Sequence, residues 1–185
     1  MSRVLILFAH PALRTSRVQR AMADAVRDLP GVTFHDLYEA YPDFDVDVPA
    51  EQARLSAHDV IVLQHPLYWY SVPPLVKQWF DLVLEHGWAY GSQGRALEGK
   101  VLQVALSAGG RAQAYGPGSF NGYSIAQFLA PVEATVRLCR MRWAEPFTVM
   151  GTHMMGAADI REAAARYAAL VRGYVESDAV AAGGR

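Results

Sequence analysis

The stretch Val60 to Pro74, VIVLQHPLYWYSVPP, constrains this chain more than any other. It opens on Val60-Ile61-Val62-Leu63, an apolar run with no polar residue alternating through it. A strand with one face in water alternates, whereas a strand covered on both faces, as in a parallel sheet, does not. The run then passes through His65-Pro66 into three consecutive aromatics, Tyr68, Trp69 and Tyr70, and on to Pro73-Pro74. Large aromatics just beyond the carboxyl end of a buried strand make walls for a flat ring. The X-Pro bonds fix the path of the loop that carries them.

The rest of the chain alternates in the same way. Strands are predicted over Val4 to Ala9, Val32 to Asp36, Val60 onward, Lys100 to Leu106 and Pro146 to Met150. Helices are predicted from Ser16 to Leu29, Pro49 to His58, Pro74 to Glu85, Ser124 to Arg140 and Ala157 to Glu176, the first stopped by Pro30-Gly31. Tyr38 to Asp47 is predicted as a long connection, and Pro131 is expected either to kink its helix or to begin a second part of it. Strands that alternate with helices give an α/β fold with a parallel sheet. The five-strand solution is the flavodoxin-like three-layer sandwich, order 2-1-3-4-5, whose ligand sits beyond the carboxyl ends of strands 1 and 3.

Composition sets the outer limits. At 185 residues, 52% hydrophobic and 19% charged, the chain is expected to form a single globular domain over 1–178, with 179–185 a frayed tail. A net charge of −1 without a basic stripe argues against nucleic acid. Cys139 is the only cysteine and reads as a small buried hydrophobe in a cytoplasmic protein. The apolar start MSRVLILFAHP reads as a first strand, and no run approaches the about 20 apolar residues of a membrane helix.

Three loops then converge at one end of the sheet. The first, His10 to Gln19, ends at a helix N-terminus flanked by Thr15, Ser16 and Arg17, where free N–H groups, hydroxyls and a guanidinium make an anion site. Neither G-x-x-x-x-G-K-[ST] nor G-x-G-x-x-G is present, so it is not a nucleoside-triphosphate loop or a dinucleotide turn. The second loop carries the aromatics. The third, from Ser107, brings Gly109-Gly110, whose backbone can approach a ligand closely. Phosphate cradle, aromatic wall and backbone donors together suit a flavin mononucleotide, with the isoalloxazine ring near Trp69 and its pyrimidine edge at the third loop. No metal is expected: the spacing of His58, His65 and His86 matches no ligand pattern, and a structural role is assigned to His65. His153, beside Met154-Met155, reads as loop or strand-end packing.

The segments LFAHP at 7–11, YPDF at 41–44, QHPLYWYSVPPLVKQW at 64–79, GWAYG at 87–91, ALEGK at 96–100, SAGG at 107–110 and YGPGSFNGY from 115 carry a family resemblance. In this order and spacing the chain resembles the flavodoxin-like NAD(P)H:quinone oxidoreductases. Within them it is most similar to the ancillary quinone reductases of glutathione-regulated potassium efflux systems. The resemblance places the flavin phosphate loop on His10 and on Ser16, Arg17, Val18 and Gln19, the last of which is often Asn in the family. It places the ring-binding loop on Leu67, Tyr68, Trp69 and Tyr70. The pyrimidine-edge loop falls on Ser107, Ala108, Gly109 and Gly110. It gives Tyr115 and Asn121 the positions that assist hydride transfer in mammalian-type members, where the second is His; Asn121 can donate but cannot carry a proton.

The implied activity is two-electron, ping-pong hydride transfer from NAD(P)H through flavin N5 to a quinone. FMN is the expected cofactor, with FAD the alternative. The family implies a homodimer, for which Tyr41, Phe44 and Phe128 are candidate contact aromatics, with packing into the protein's own core the alternative for each. It also implies a possible membrane potassium efflux transporter as partner, met at the inner face of the cell membrane. The alternative function is a regulatory flavoprotein subunit docking on such a transporter.

Overall fold

The computed structural model describes residues 1–177; the tail over 179–185, expected to fray, lies outside the described residues. Among the described residues six strands form one parallel sheet: β1 (Val4–Phe8), β2 (Val32–Asp36), β3 (Val60–Pro66), β4 (Val101–Ala108), β5 (Arg142–Trp143) and β6 (Phe147–Met150). The helices are α1 (Arg17–Asp24), α2 (Leu37–Ala40), α3 (Val48–Ser56), α4 (Pro74–Val83), α5 (Ile125–Leu138) and α6 (Ala157–Glu176). The order is β2-β1-β3-β4-β5, with β6 also on β4.

Every residue of β1, β3 and β4 is buried, the polar Gln64, His65, Gln103 and Ser107 included. Alternate side chains point to opposite faces. Leu5, Leu7, Ile61, Leu63 and Val104 pack with Leu55 of α3, Trp79 of α4 and Val132 of α5. Val4, Ile6, Phe8, Val60 and Val62 pack with Met22 of α1 and Tyr167 of α6. Each such side chain stabilises the fold by about 1.5–3 kcal/mol, so the two layers, and not the propensities of short helices, hold the sandwich together.

The structure departs from the sequence expectation in three places and decides between alternatives in a fourth. The expected fifth strand is present as β6, and an unexpected two-residue strand, β5, precedes it. β5 pairs with Val101 and Leu102, β6 pairs with Ala105 to Ala108, and the interruption contains Pro146, which has no N–H to give the ladder. Gln103 fills the gap, its Nε2 donating to the Glu145 carbonyl at 2.8 Å. The first helix is shorter than expected, ending at Asp24 in a run of turns. The connection at 38–47 begins inside a one-turn helix, α2, because the Asp36 carboxylate accepts from the N–H groups of Tyr38 and Glu39. Finally, α5 is continuous through Pro131, so of the two readings a second helix starting there is excluded.

A buried polar knot lies where β2 meets α3, α4 and the α2 region. Glu51 is fully buried, with Tyr41 Oη, Trp79 Nε1, His35 Nε2 and Arg54 Nε within 2.8 to 3.3 Å of its carboxylate oxygens. Tyr41 therefore belongs to the core of its own chain, and its side chain is not an exposed contact aromatic. No helix among the described residues is long and apolar enough to cross a membrane.

Candidate functional site

The ladder continues past the strand ends and leads four loops to one place. Ala9 N–H donates to Gln64 O (2.9 Å), Leu67 N–H to Ser107 O (2.8 Å), and Thr152 N–H to Ala108 O (3.1 Å). The loops leaving β1, β3, β4 and β6 thus start in register. Between them lies an open cleft of about 540 Å³, within the range of small-molecule sites.

At one end of the cleft stands the start of α1. Ser16 is its N-cap, its Oγ accepting from Gln19 N–H at 3.2 Å. The backbone N–H groups of Arg17 and Val18 have no carbonyl of their own helix to reach, and they carry the positive end of its dipole. Arg17 extends along the rim, Nη2 donating to the Thr152 carbonyl at 3.4 Å. The preceding 3₁₀ turn, Leu13–Thr15, is pinned by Arg20, which donates to the Arg14 carbonyl at 2.6 Å. Hydroxyl, guanidinium and free N–H groups so placed are the donors an anion would need.

His10 borders the cleft with little surface in water. Its Nδ1 accepts from Ala12 N–H at 3.0 Å, and burial pushes its pKa below the ordinary histidine value. With Nδ1 accepting, a ring proton sits on Nε2. That edge faces Tyr68, whose hydroxyl is 3.5 Å away and whose ring meets the imidazole edge-on.

The aromatic wall is held by a strained turn. Ser71 N–H donates to Tyr68 O at 3.1 Å, and the two residues between, Trp69 and Tyr70, have φ of 48° and 65°. Two successive left-handed residues suit Gly or Asn, and bulky aromatics there cost about 1–3 kcal/mol each. The turn presents Trp69 with 92% of its surface open beside the cleft. Tyr70 leans away, stacked on Phe128 at 4.9 Å, with its hydroxyl donating to Asn121 Oδ1 at 3.1 Å.

Of the residues expected at the site, His10, Ser16, Arg17, Val18, Leu67, Tyr68, Trp69, Ser107 and Gly109 line the cleft together. Ala108 is buried in the strand end. Gly110 lies under Tyr115: a Cβ on it would stand 2.9 Å from the Tyr115 hydroxyl. Burial, then the nearby Tyr70, raise the Tyr115 pKa, so this hydroxyl is a donor at neutral pH. Asn121 Oδ1 accepts from the Tyr70 hydroxyl, and its backbone N–H donates to Ala114 O at 3.0 Å. Gln19 points the other way, fully buried beneath the floor.

Two lining residues were not expected. Thr152 and His153 come from the loop after β6. His153 packs so closely on Gly109 that a Cβ there would lie 2.3 Å from its Nε2. A side chain at 109 would have to displace the exposed His153 ring. His65, by contrast, is fully buried, its Nδ1 paired with Pro66 O at 2.9 Å, and burial holds its pKa at about 4. It packs and carries no charge, as its assigned structural role requires.

Comparison with known proteins gives a family. A family model described by its flavodoxin-like fold matches residues 2–171. The glutathione-regulated potassium-efflux system ancillary protein KefF of Klebsiella aerogenes is 43% identical over 164 residues, 89% of this chain and 92% of that protein. The structure of general stress protein 14 of Treponema denticola in complex with FMN is 39% identical, with a TM-score of 0.89 over 93% of this chain and 99% of that one. An NADPH-quinone reductase from P. pentosaceus is 32% identical, with a TM-score of 0.82 over 91% of this chain and 96% of that one.

Proposed function

Because the chain belongs to this family of flavodoxin-like fold, we propose that it is an FMN-dependent NAD(P)H oxidoreductase that passes two electrons to a quinone in a ping-pong cycle. One observation carries the reading: a single cleft has an anion cradle at the start of α1 and an aromatic turn forced into left-handed geometry beside it. The likeness to a protein solved with FMN and to one named as an NADPH-quinone reductase supports it.

The residues present fit such a cofactor. Ser16, Arg17 and Val18 would hold its phosphate, Leu67 to Trp69 its ring, and the Ser107–Gly110 loop its pyrimidine edge. Gly109, with no side chain of its own, lets this loop's backbone come close to a flat ligand. Bound FMN would supply a carrier that takes two electrons from reduced nicotinamide and yields them to an acceptor. The protein's own part is to bind, orient and offer protons. The open cleft gives both substrates the same approach, so they would use it in turn. Tyr115, above Gly110, would donate a hydrogen bond where negative charge develops.

Tyr115→Phe is therefore expected to lower turnover about tenfold while FMN stays bound, the loss of one hydrogen bond to developing charge. Stopped-flow measurement of each half-reaction checks this. Rates equal to the parent in both halves would remove Tyr115 from the chemistry.

The reading as a whole is tested by absorption. The purified protein, loaded with FMN, should bleach on anaerobic NADPH and regain its yellow colour on adding a quinone. A protein that takes up neither FMN nor FAD overturns it. The likeness to KefF favours a second role, as a subunit docking on a potassium efflux transporter, in which the protein acts as a dimer at the membrane's inner face. Sedimentation with membranes carrying the transporter, and not with membranes lacking it, is the expected result for that role.

A further inference from the structure

Beneath the cleft floor runs a chain of buried side-chain hydrogen bonds. Tyr167 Oη donates to Gln64 Oε1 (3.0 Å), Gln64 Nε2 to Gln19 Oε1 (2.9 Å), and Gln19 Nε2 to Ser107 Oγ (2.9 Å). Tyr167, Gln64 and Gln19 are wholly buried, and Ser107 lines the cleft. The direction of this chain is fixed at one point. Gln19 Nε2 also donates to the backbone carbonyl of His65 at 2.9 Å, and a carbonyl can only accept. The amide nitrogen of Gln19 must therefore face His65 and Ser107, and its oxygen must face Gln64. Gln64 must then turn its nitrogen to Gln19 and its oxygen to Tyr167.

The consequence reaches the cleft. The two amide protons of Gln19 go to the His65 carbonyl and to Ser107 Oγ. Ser107 has to receive one of them as an acceptor. A hydroxyl that accepts from below keeps its own single proton for another partner, and its remaining open side is the cleft. We propose that Gln19 is a positioning residue: it does not touch the ligand, but commits the Ser107 hydroxyl to donate into the cleft, toward an acceptor atom on the flavin's pyrimidine edge. This rests on the flavin reading above and goes beyond it. It gives the glutamine that replaces the asparagine frequent in the family a place under the floor, out of reach of the phosphate.

The experiment is a double-mutant cycle on FMN affinity, read with the infrared bands of the flavin carbonyls. Ser107→Ala should raise the FMN Kd about tenfold, the loss of one net hydrogen bond. Gln19→Met, which keeps the length but has no donor, should give a similar rise and move the carbonyl bands in the same direction. The double variant should be no worse than Ser107→Ala, since both remove the same bond. Gln19→Glu keeps the shape and offers Ser107 an acceptor where a donor was; it should reproduce the loss, and it decides the matter if Gln19→Met fails to fold. Tyr167→Phe is the control. It lies on the same buried chain, but upstream of the carbonyl that sets the direction. It should lower the melting temperature while leaving the FMN Kd and the carbonyl bands as in the parent.

Losses that multiply to about a hundredfold in the double variant would overturn the proposal, as would a Gln19→Met or Gln19→Glu protein with the parent's Kd and bands. A Tyr167→Phe protein that shifts the bands as Gln19→Met does would also overturn it, because the effect would then be a general loosening of the floor. A parent protein that binds no FMN fails the flavin reading itself and takes this proposal with it.

Discussion

Replacing Glu51 with alanine is expected to lower stability at pH 7 by about 3–5 kcal/mol, the cost of leaving a buried ionic cluster without its centre. In a chain of this length that is a fall in melting temperature of about 10 °C. The Glu51 side chain has no exposed surface, and four groups converge on it. Tyr41 and Trp79 donate to it from the core, and neither has water to turn to when it is gone. Burial works against the charge, but the close approach of His35, then the bonds from Trp79 and Tyr41, outweigh it and hold the carboxyl at about 2. Burial and the bond to this same carboxylate push the Tyr41 hydroxyl up to about 12, so it remains a donor.

The pH dependence has a definite sign. A carboxyl whose pKa is lower folded than unfolded contributes stability that is present above the unfolded value, an ordinary 4.5, and lost as pH falls toward about 2. That contribution is about 3 kcal/mol. Urea denaturation of parent and Glu51→Ala at pH 7 and again near pH 3 checks both parts. The gap between the two proteins should narrow at the lower pH. A gap under about 1 kcal/mol at pH 7, or one that does not change with pH, would mean the cluster is held by packing alone.

Glu51 also shows where a single sequence stops being readable. In the sequence it is a carboxylate in the first turn of a short helix, which is ordinary on the surface. Nothing local reveals that His35, Tyr41 and Trp79, from three other elements, meet it. The parts that were legible have a local physical cause. Val60 to Leu63 reads as buried on both faces because no polar residue interrupts it. Ser16 reads as a cap because a hydroxyl before a helix satisfies a free N–H. The convergence of the first, second and third loops follows from the sheet order. What was missed needs a partner to be seen. Arg142–Trp143 is too short and too polar to announce a strand, and forms one only against Val101 and Leu102. Thr152 and His153 reach the cleft because Thr152 N–H continues the ladder to Ala108. Gln19 is an intermediate case. Val18, Gln19, Met22, Ala23 and Val26 recur at helical spacing and are all buried, so the stripe that turns Gln19 inward was present in the sequence. Its similarity to a phosphate-loop position points the opposite way, toward the ligand, and burial of the stripe wins.

Arg17→Glu is expected to weaken FMN binding about a hundredfold at low salt while leaving riboflavin binding within about twofold of the parent. A hydrogen bond between charged partners contributes about 1.5–3 kcal/mol, and the reversal adds repulsion from a dianionic phosphate. Riboflavin carries the same ring and side chain without the phosphate, so it reports any damage to the rest of the cleft. The substitution should not harm the fold. Arg17 is the first residue of α1, where a carboxylate is favoured by the helix dipole and a guanidinium is not. Within the protein the change breaks the exposed, 3.4 Å bond to the Thr152 carbonyl, which is long and open to water. The melting temperature of the unliganded variant should therefore equal or exceed that of the parent, even as FMN affinity falls. Because Arg17 is exposed, the FMN deficit should shrink as salt is raised, with the screening length falling from about 10 Å at 0.1 M to about 3 Å at 1 M. Titrations of both ligands, by quenching of flavin fluorescence at two salt concentrations, decide the matter. Equal losses for FMN and riboflavin would place the damage in the ring pocket. Unchanged affinity for both would move the phosphate away from the start of α1, and the cradle would have to be sought elsewhere in the cleft.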